Sequence, residues 1–288
     1  MGFTILNINA SRIGKREKLI DLLALINIYS PSVVCIQEIN IMTAYRYFQE
    51  YFQVIVNRED DKNDDIGIVT LVNKKYKIEQ NIANNGRIIG TKLKQCQIWN
   101  VYPISGSNNK QVREKFFRED LIHYMMNWKD QTKYIVQAGD HNCTHRDADS
   151  LNNPGQHKQA GLIAEMKIMG LKDSFIQVHG ENRIEFSRRT RNSGTRIDLI
   201  LSNIKECAFF EYIDMKMDFD HFMARATFNI DIEEKVERIP KQMRYNVTAI
   251  PKVMETNKLF LDIMQENIEE IHQRYLLDSM GNDKVDVL

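Results

Sequence analysis

The sequence has no apolar run approaching the roughly 20 residues that a membrane-spanning helix needs, so no membrane partner is expected. Cysteine is sparse: Cys35, Cys96, Cys143 and Cys207 are scattered along the chain, with no CxxC pair. That spacing argues against a zinc module and against a disulfide framework. It points to a reducing compartment with structural thiols. A secretory leader is not expected, because "MGFTILNINASRIG" lacks a basic n-region and a small-residue cleavage site. Myristoylation is not expected either, with Leu6 in the usual Ser/Thr place. There is no internal repeat or low-complexity stretch. The chain also lacks net charge, with 39 basic against 39 acidic residues, which by itself weighs against a nucleic-acid partner.

What is present is ordinary bulk composition with local bias. A length of 288 residues suits one large domain, or one domain plus an appendage. Hydrophobic and charged shares of 43% and 27% are those of a globular protein. The zero charge hides asymmetry: "RIEFSRRTRNSGTR" (183–196) holds five Arg against one Glu, whereas "REDDKNDD" (58–65) is acidic. A basic stripe can bind phosphates on a neutral chain; a solvated loop is the plainer alternative.

Periodicity predicts strands at 3–7, 33–36, 66–73, 87–93, 96–102, 133–138, 196–202 and 222–230. Helices are predicted where Leu19, Leu22, Leu23 and Ile26 share a face, and where Phe117, Leu121, Tyr124, Met125 and Trp128 do. A third carries Leu162, Ile163, Met166 and Met169, with Gly170 as its C-cap. Strands and helices alternate to about residue 232 without a linker, which predicts one α/β domain over 1–232. Residues 233–288 read as a mostly helical extension, with a stripe from Phe260 to Tyr275.

The densest chemistry lies in "AGDHNCTHRDAD" (138–149). On an extended segment Asp140, Asn142 and Thr144 face one way, and His141, Cys143 and His145 the other. The second set could begin a zinc site, but no complementary Cys/His cluster exists elsewhere. The first set has many partners. Glu38 ends "VVCIQE", Asn7 and Asn9 leave the first strand, Asp198 interrupts an apolar run, and Asp220–His221 precede the last strand. Oxygen ligands of this kind suit Mg²⁺ or Mn²⁺. Asp198, flanked by apolar residues, needs a partner, and His221 is a sensible one.

In order, "LNIN" (6–9), "PSVVCIQEINIMT" (31–43), "NVYPISGS" (100–107), "GDHN" (139–142), "GTRIDLILSN" (194–203) and "FDH" (219–221) resemble the endonuclease/exonuclease/phosphatase superfamily. "PSVVCIQE", "GDHNCTHRDAD" and "FSRRTRNSGTRIDLILSN" are most similar to the endonuclease domain of non-LTR (LINE-type) retrotransposons. The resemblance spans roughly residues 3–230. It implies an α/β fold: a four-layer sandwich of two packed mixed β-sheets flanked by helices.

The same resemblance implies roles. Glu38 is the principal metal ligand, with Asn7 beside it. Asn9 stands where abasic-site endonucleases carry Asp, and Asp220 assists metal or water placement. The implied metal set is thus Glu38, Asn9 and Asp220. Tyr102 contacts the scissile phosphate, Asp140 activates the attacking water, Asn142 binds phosphate or that water, and Asp198 orients His221. DNA contacts are expected from Arg188, Arg189, Arg191, Thr195, Arg196 and Ser105. The implied activity is Mg²⁺- or Mn²⁺-dependent nicking of one DNA strand to a 3′-hydroxyl and a 5′-phosphate. That end would prime reverse transcription in the nucleus, by a reverse transcriptase domain of the same polyprotein. An abasic-site repair endonuclease and a catalytically weak DNA-targeting module are the alternatives.

Four departures stand out. His141 replaces the usual Phe, and Phe219 replaces Ser, so a hydrogen bond near the His is expected to be lost. Ser105 is the nearest substitute for a second phosphate-binding Asn. "RDADS" lacks the downstream Asp-Arg pair, although Arg146 is near. None removes a central acid or the His, so activity is expected.

Overall fold

A computed structural model describes residues 2–59, 65–151, 157–217 and 219–232. These lie in the first of the two units into which the chain divides, Met1–Val236. The helical stripe read over the tail, and the extension 233–288 itself, lie outside the described residues.

The chain runs β1 (Phe3–Ile13), α1 (Arg16–Ile28), β2 (Val33–Asn40), α2 (Ile41–Phe48), β3 (Phe52–Arg58), β4 (Ile66–Asn73), β5 (Gln80–Asn84), β6 (Ile88–Lys92) and β7 (Cys96–Val101). A helical stretch follows, α3 (Lys110–Lys115) passing through a π-type turn (Phe116–Leu121) into α4 (Ile122–Lys129). Then come β8 (Tyr134–Asp140), α5 (Ala160–Met169), β9 (Lys172–Asp173), α6 (Ser174–His179), the hairpin β10 (Arg188–Thr190) and β11 (Ser193–Thr195), β12 (Asp198–Ser202), β13 (Cys207–Ile213) and β14 (Met223–Phe228).

Two six-stranded mixed sheets result, ordered β13-β14-β1-β2-β4-β3 and β5-β6-β7-β8-β12-β9. Alternation along the strands assembles the layers. Ile5, Val33 and Cys35 of the first sheet meet Ile98, Val136, Ala138 and Ile200 of the second in one core. The opposite faces carry Leu6, Ile8, Val34 and Ile36 against α1 and α2, and Trp99, Val101, Leu199 and Leu201 against α3–α4 and α5. The expected four-layer α/β sandwich is the observed one.

Two irregularities aim side chains at the rim. β1 shifts register between Asn9 and Ile13, and β2 shifts against β4 between Ile36 and Ile39. Glu38, inside the second shift, has φ 53°, a left-handed backbone costly for a residue with a Cβ. Such bulges bend a strand and re-aim a side chain. At β8 a Cβ on Gly139 would lie 1.9 Å from Val101 O, so only glycine lets β7 and β8 close immediately before Asp140.

Candidate active site

Five strands bring their polar residues together. β8 ends in Asp140 and β12 begins with Asp198, which are antiparallel partners. β1 brings Asn9, β2 brings Glu38, and His221 precedes β14. Asn9 Nδ2 donates to Asp140 Oδ2 at 2.9 Å and to Glu38 Oε1 at 3.4 Å, tying the two carboxylates together. Tyr102 OH donates to Glu38 Oε1 at 2.5 Å, and the Arg87 guanidinium stacks over the Tyr102 ring, 5.1 Å from its centroid. Asp140 Oδ1 accepts from the Asn142 backbone N–H at 2.8 Å. Asn142, at φ 50°, donates its side-chain amide to Pro103 O at 2.9 Å.

His221 Nδ1 contacts Asp198 Oδ2 at 2.9 Å. Burial alone would favour the neutral ring, but Asp198, its hydrogen bond, Asp140 and Asp220 lift the His221 pKa to about 9. The imidazolium is therefore the form present near neutral pH. The Asp140 pKa is raised as well, which in a carboxyl favours the neutral form: burial and then repulsion from Asp198 lift it to about 7, against His221 and the hydrogen bonds from Asn142 and Asn9. One acid poised near neutrality thus faces one fixed cation.

The donor atoms of Asp140, Asp198 and His221 lie within 4.8 Å of one another, and Asp198 Oδ1 is buried without a hydrogen-bond partner among the described residues. An orphaned carboxylate oxygen beside a second carboxylate fits a hard divalent cation. This trio overlaps the expected metal set at no residue. Glu38 stands one hydrogen-bond bridge away through Asn9. Asn9 Oδ1 accepts from the Ser11 N–H at 2.9 Å, which fixes the amide that bridges the two acids. Asp220 is turned outward to Arg188, 2.7 Å from its Nε, and lies 3.9 Å from His221 Nε2. Asn7 is fully buried behind the site, accepting from Gln37 Nε2 at 3.0 Å.

The basic stripe divides. Arg188, Arg189 and Arg191 are exposed, on or beside the β10–β11 hairpin, with Ser105 and the half-buried Thr195 on the adjoining rim. Arg196 does not belong with them. It is fully buried, forking onto Asp149 at 2.9 Å through Nε and Nη2 and reaching Asp173 at 2.7 Å. The charge within an apolar surround is held by two carboxylates, which removes Arg196 from the DNA-contact set.

Three departures find structural answers. His141 stacks on Phe117 with rings 6° from parallel, and its Nδ1 and Nε2 meet Gly139 O and Gln137 Nε2 at 2.9 Å each. Burial holds its pKa down to about 4; it is a neutral aromatic filler facing away from Asp140. Asp149, in "RDADS", pairs with Arg146 as well as Arg196. Ser187, which the sequence did not single out, donates to Asp198 Oδ2 at 2.7 Å and restores the hydrogen bond missing at Phe219. Its only sequence signal was a small hydroxyl residue inside the basic stripe.

No protein-family model and no curated protein sequence matches the chain. Solved structures do. An AP endonuclease from Archaeoglobus fulgidus aligns with a TM-score of 0.60 and 17% identity, over 79% of this chain and 100% of that one. The 3′ phosphatase NExo from Neisseria, bound to a product DNA hairpin, aligns with a TM-score of 0.66 and 17% identity, over 79% and 100%. The AP endonuclease LMAP from Leishmania major aligns with a TM-score of 0.65 and 15% identity, over 80% and 88%. The chain shares their fold. At these identities the likeness concerns the path of the backbone, and the chemistry rests on the residues described above.

Proposed function

We propose that this chain is a divalent-metal-dependent DNA endonuclease that nicks one strand, leaving a 3′-hydroxyl and a 5′-phosphate. The observation that carries the reading is the convergence of the His221–Asp198 pair with Asp140 and Glu38 at one end of the sandwich. Hydrolysis of a phosphodiester needs a base for water and positive charge for the phosphoryl oxygens. Asp140 Oδ accepts the proton of the attacking water, and His221, kept protonated by Asp198, offers Nε2–H to a phosphoryl oxygen. Asn142 and Tyr102 flank the phosphate and fix its orientation. Carboxylates of the Glu38/Asp140/Asp198 group would hold a Mg²⁺ or Mn²⁺, which would supply further positive charge to the phosphodiester as it reacts.

The setting we propose is a LINE-type retrotransposon, with the nick priming a reverse transcriptase that follows in the polyprotein and acts in the nucleus. The motifs "GDHNCTHRDAD" and "FSRRTRNSGTRIDLILSN" support it. The Archaeoglobus and Leishmania neighbours, both AP endonucleases, favour a second reading, cleavage at abasic sites.

Nicking of supercoiled plasmid, with and without chelator, and cleavage of matched intact and abasic duplexes separate these readings. The retrotransposon reading expects metal-dependent nicks in intact DNA. Cleavage confined to the abasic duplex selects the repair reading. Glu38→Ala and His221→Ala should each abolish nicking and spare DNA binding; unchanged nicking in both refutes the site. Binding without any nicking by the wild type leaves the weak targeting module.

A further inference from the structure

Beside Asn142, away from Glu38, lies a cavity of about 250 Å³. None of its described lining residues is acidic, while Arg113, Arg188 and His157 face it together with hydroxyls of Ser107, Ser193 and Thr195. Arg113 is the unusual member. It is 4% exposed, yet it forms no ion pair with a described carboxylate; its Nη1 donates to Ile104 O at 3.0 Å and Gly106 O at 2.7 Å. Its Nε is buried with no hydrogen-bond partner among the described residues. Buried charges are ordinarily paired, since desolvating a lone cation is costly. The buried Arg196 of the same chain, with its two aspartates, shows the usual arrangement.

His157 reports the same field: besides burial, Arg113 and then Arg188 hold its pKa below the ordinary value. A cavity lined by the Arg113 guanidinium, by Arg188 (whose Nε is held by Asp220 at 2.7 Å) and by several hydroxyls, with no acidic lining residue, is complementary to an oxyanion. Because Asn142 lines it too, the cavity opens directly onto the catalytic group.

We infer that this cavity, with Arg113 at its base, seats a non-scissile phosphate of the nucleic acid strand next to the one that is cut. This rests on the reading of the chain as a DNA-cutting enzyme. The anion completes the pairing that Arg113 lacks, and the seated phosphate fixes the strand's register against Asp140. Arg113 is a binding residue for a neighbouring phosphate, outside the reacting atoms.

The test is a scan of single methylphosphonates, which remove one phosphate charge, walked along the nicked strand of a short duplex. Binding is measured with full-length Glu38→Gln protein, so the strand stays intact. With Arg113 present, one position besides the scissile one should weaken binding about tenfold, the loss expected of one charge-assisted hydrogen bond. Adding Arg113→Gln should erase the effect of that position and leave the scissile position's effect in place. Identical profiles in both proteins overturn the inference. Arg113 also staples the 104–106 loop, so Ser193→Val, at an exposed hydroxyl bonded to Thr190, is scanned in parallel. It should diminish the same position's effect, and an unaltered profile in that variant counts equally against the subsite. The scan reads binding, so it runs whether or not the wild type cuts; absent nicking refutes the nuclease reading separately.

Discussion

Ser187 Oγ donates to Asp198 Oδ2 at 2.7 Å, the same oxygen that faces His221 Nδ1 at 2.9 Å. The hydroxyl oxygen also accepts the backbone N–H groups of Ile197 and Asp198 at 3.0 and 2.9 Å. One buried serine therefore fixes both the start of β12 and the carboxylate that orients the histidine. Its neighbour Arg188 forms a backbone bridge to His221, so the hairpin and His221 are positioned as one piece.

Ser187→Ala should lower kcat by about tenfold, equivalent to about 1.4 kcal/mol of transition-state stabilisation, with KM little changed. Ser187→Thr should recover most of it. Steady-state nicking kinetics read the split; an equal loss in both variants would assign Ser187 a packing role instead.

Much of this was legible before the fold, for a physical reason. Central strands are buried on both faces, so β2, β4, β8 and β12 write themselves as β-branched and apolar runs. Within the two large sheets the strands that escaped notice are β3, β5, β9 and β13, which are their edges; the separate β10–β11 hairpin escaped notice too. An edge strand such as "QNIAN" (80–84) has no fully buried residue, with only Ile82 packing on the core, so its apolar pattern is faint. At the site, acids interrupting apolar runs marked Glu38, Asp140 and Asp198. Arg196 was misread because an arginine in an arginine-rich stretch looks solvated, and only the fold reveals Asp149 and Asp173 across from it. Ser187 was invisible because its partner is Asp198, reached by a turn of the hairpin that no local spacing encodes.

The two kinds of arginine in that stretch should separate cleanly. Arg196→Gln strands two aspartates in the interior, and breaking a buried pair costs about 3–5 kcal/mol. Thermal melting should show a large drop in Tm, whereas the salt dependence of DNA binding by the folded fraction stays as in the wild type.

Neutralising Arg188, Arg189 and Arg191 together should do the reverse. Tm changes little, because their side chains are exposed. The slope of log K against log salt should flatten by about 0.9 for each DNA phosphate that is no longer neutralised. An unchanged slope would return the hairpin arginines to plain solvated charge.

Glu165 on α5 gives the fold a pH dependence separate from catalysis. It is fully buried, and its Oε2 receives a 3.4 Å hydrogen bond from Gln137 Nε2. Burial raises its pKa from 4.5 to about 8, with Gln137 opposing. A carboxyl whose folded pKa lies above its unfolded value favours folding fully below the unfolded pKa, and that contribution is lost as pH rises toward the folded one. The window is therefore from about 4.5 to about 8. Glu165→Gln keeps the shape of the protonated acid and removes the titration. Its stability relative to the wild type should climb across that window, by up to about 1.4 kcal/mol per pH unit, and level off above it. Denaturant melts at a series of pH values measure the gap. A difference that is constant with pH would mean that Glu165 stays protonated, or stays charged, in both states.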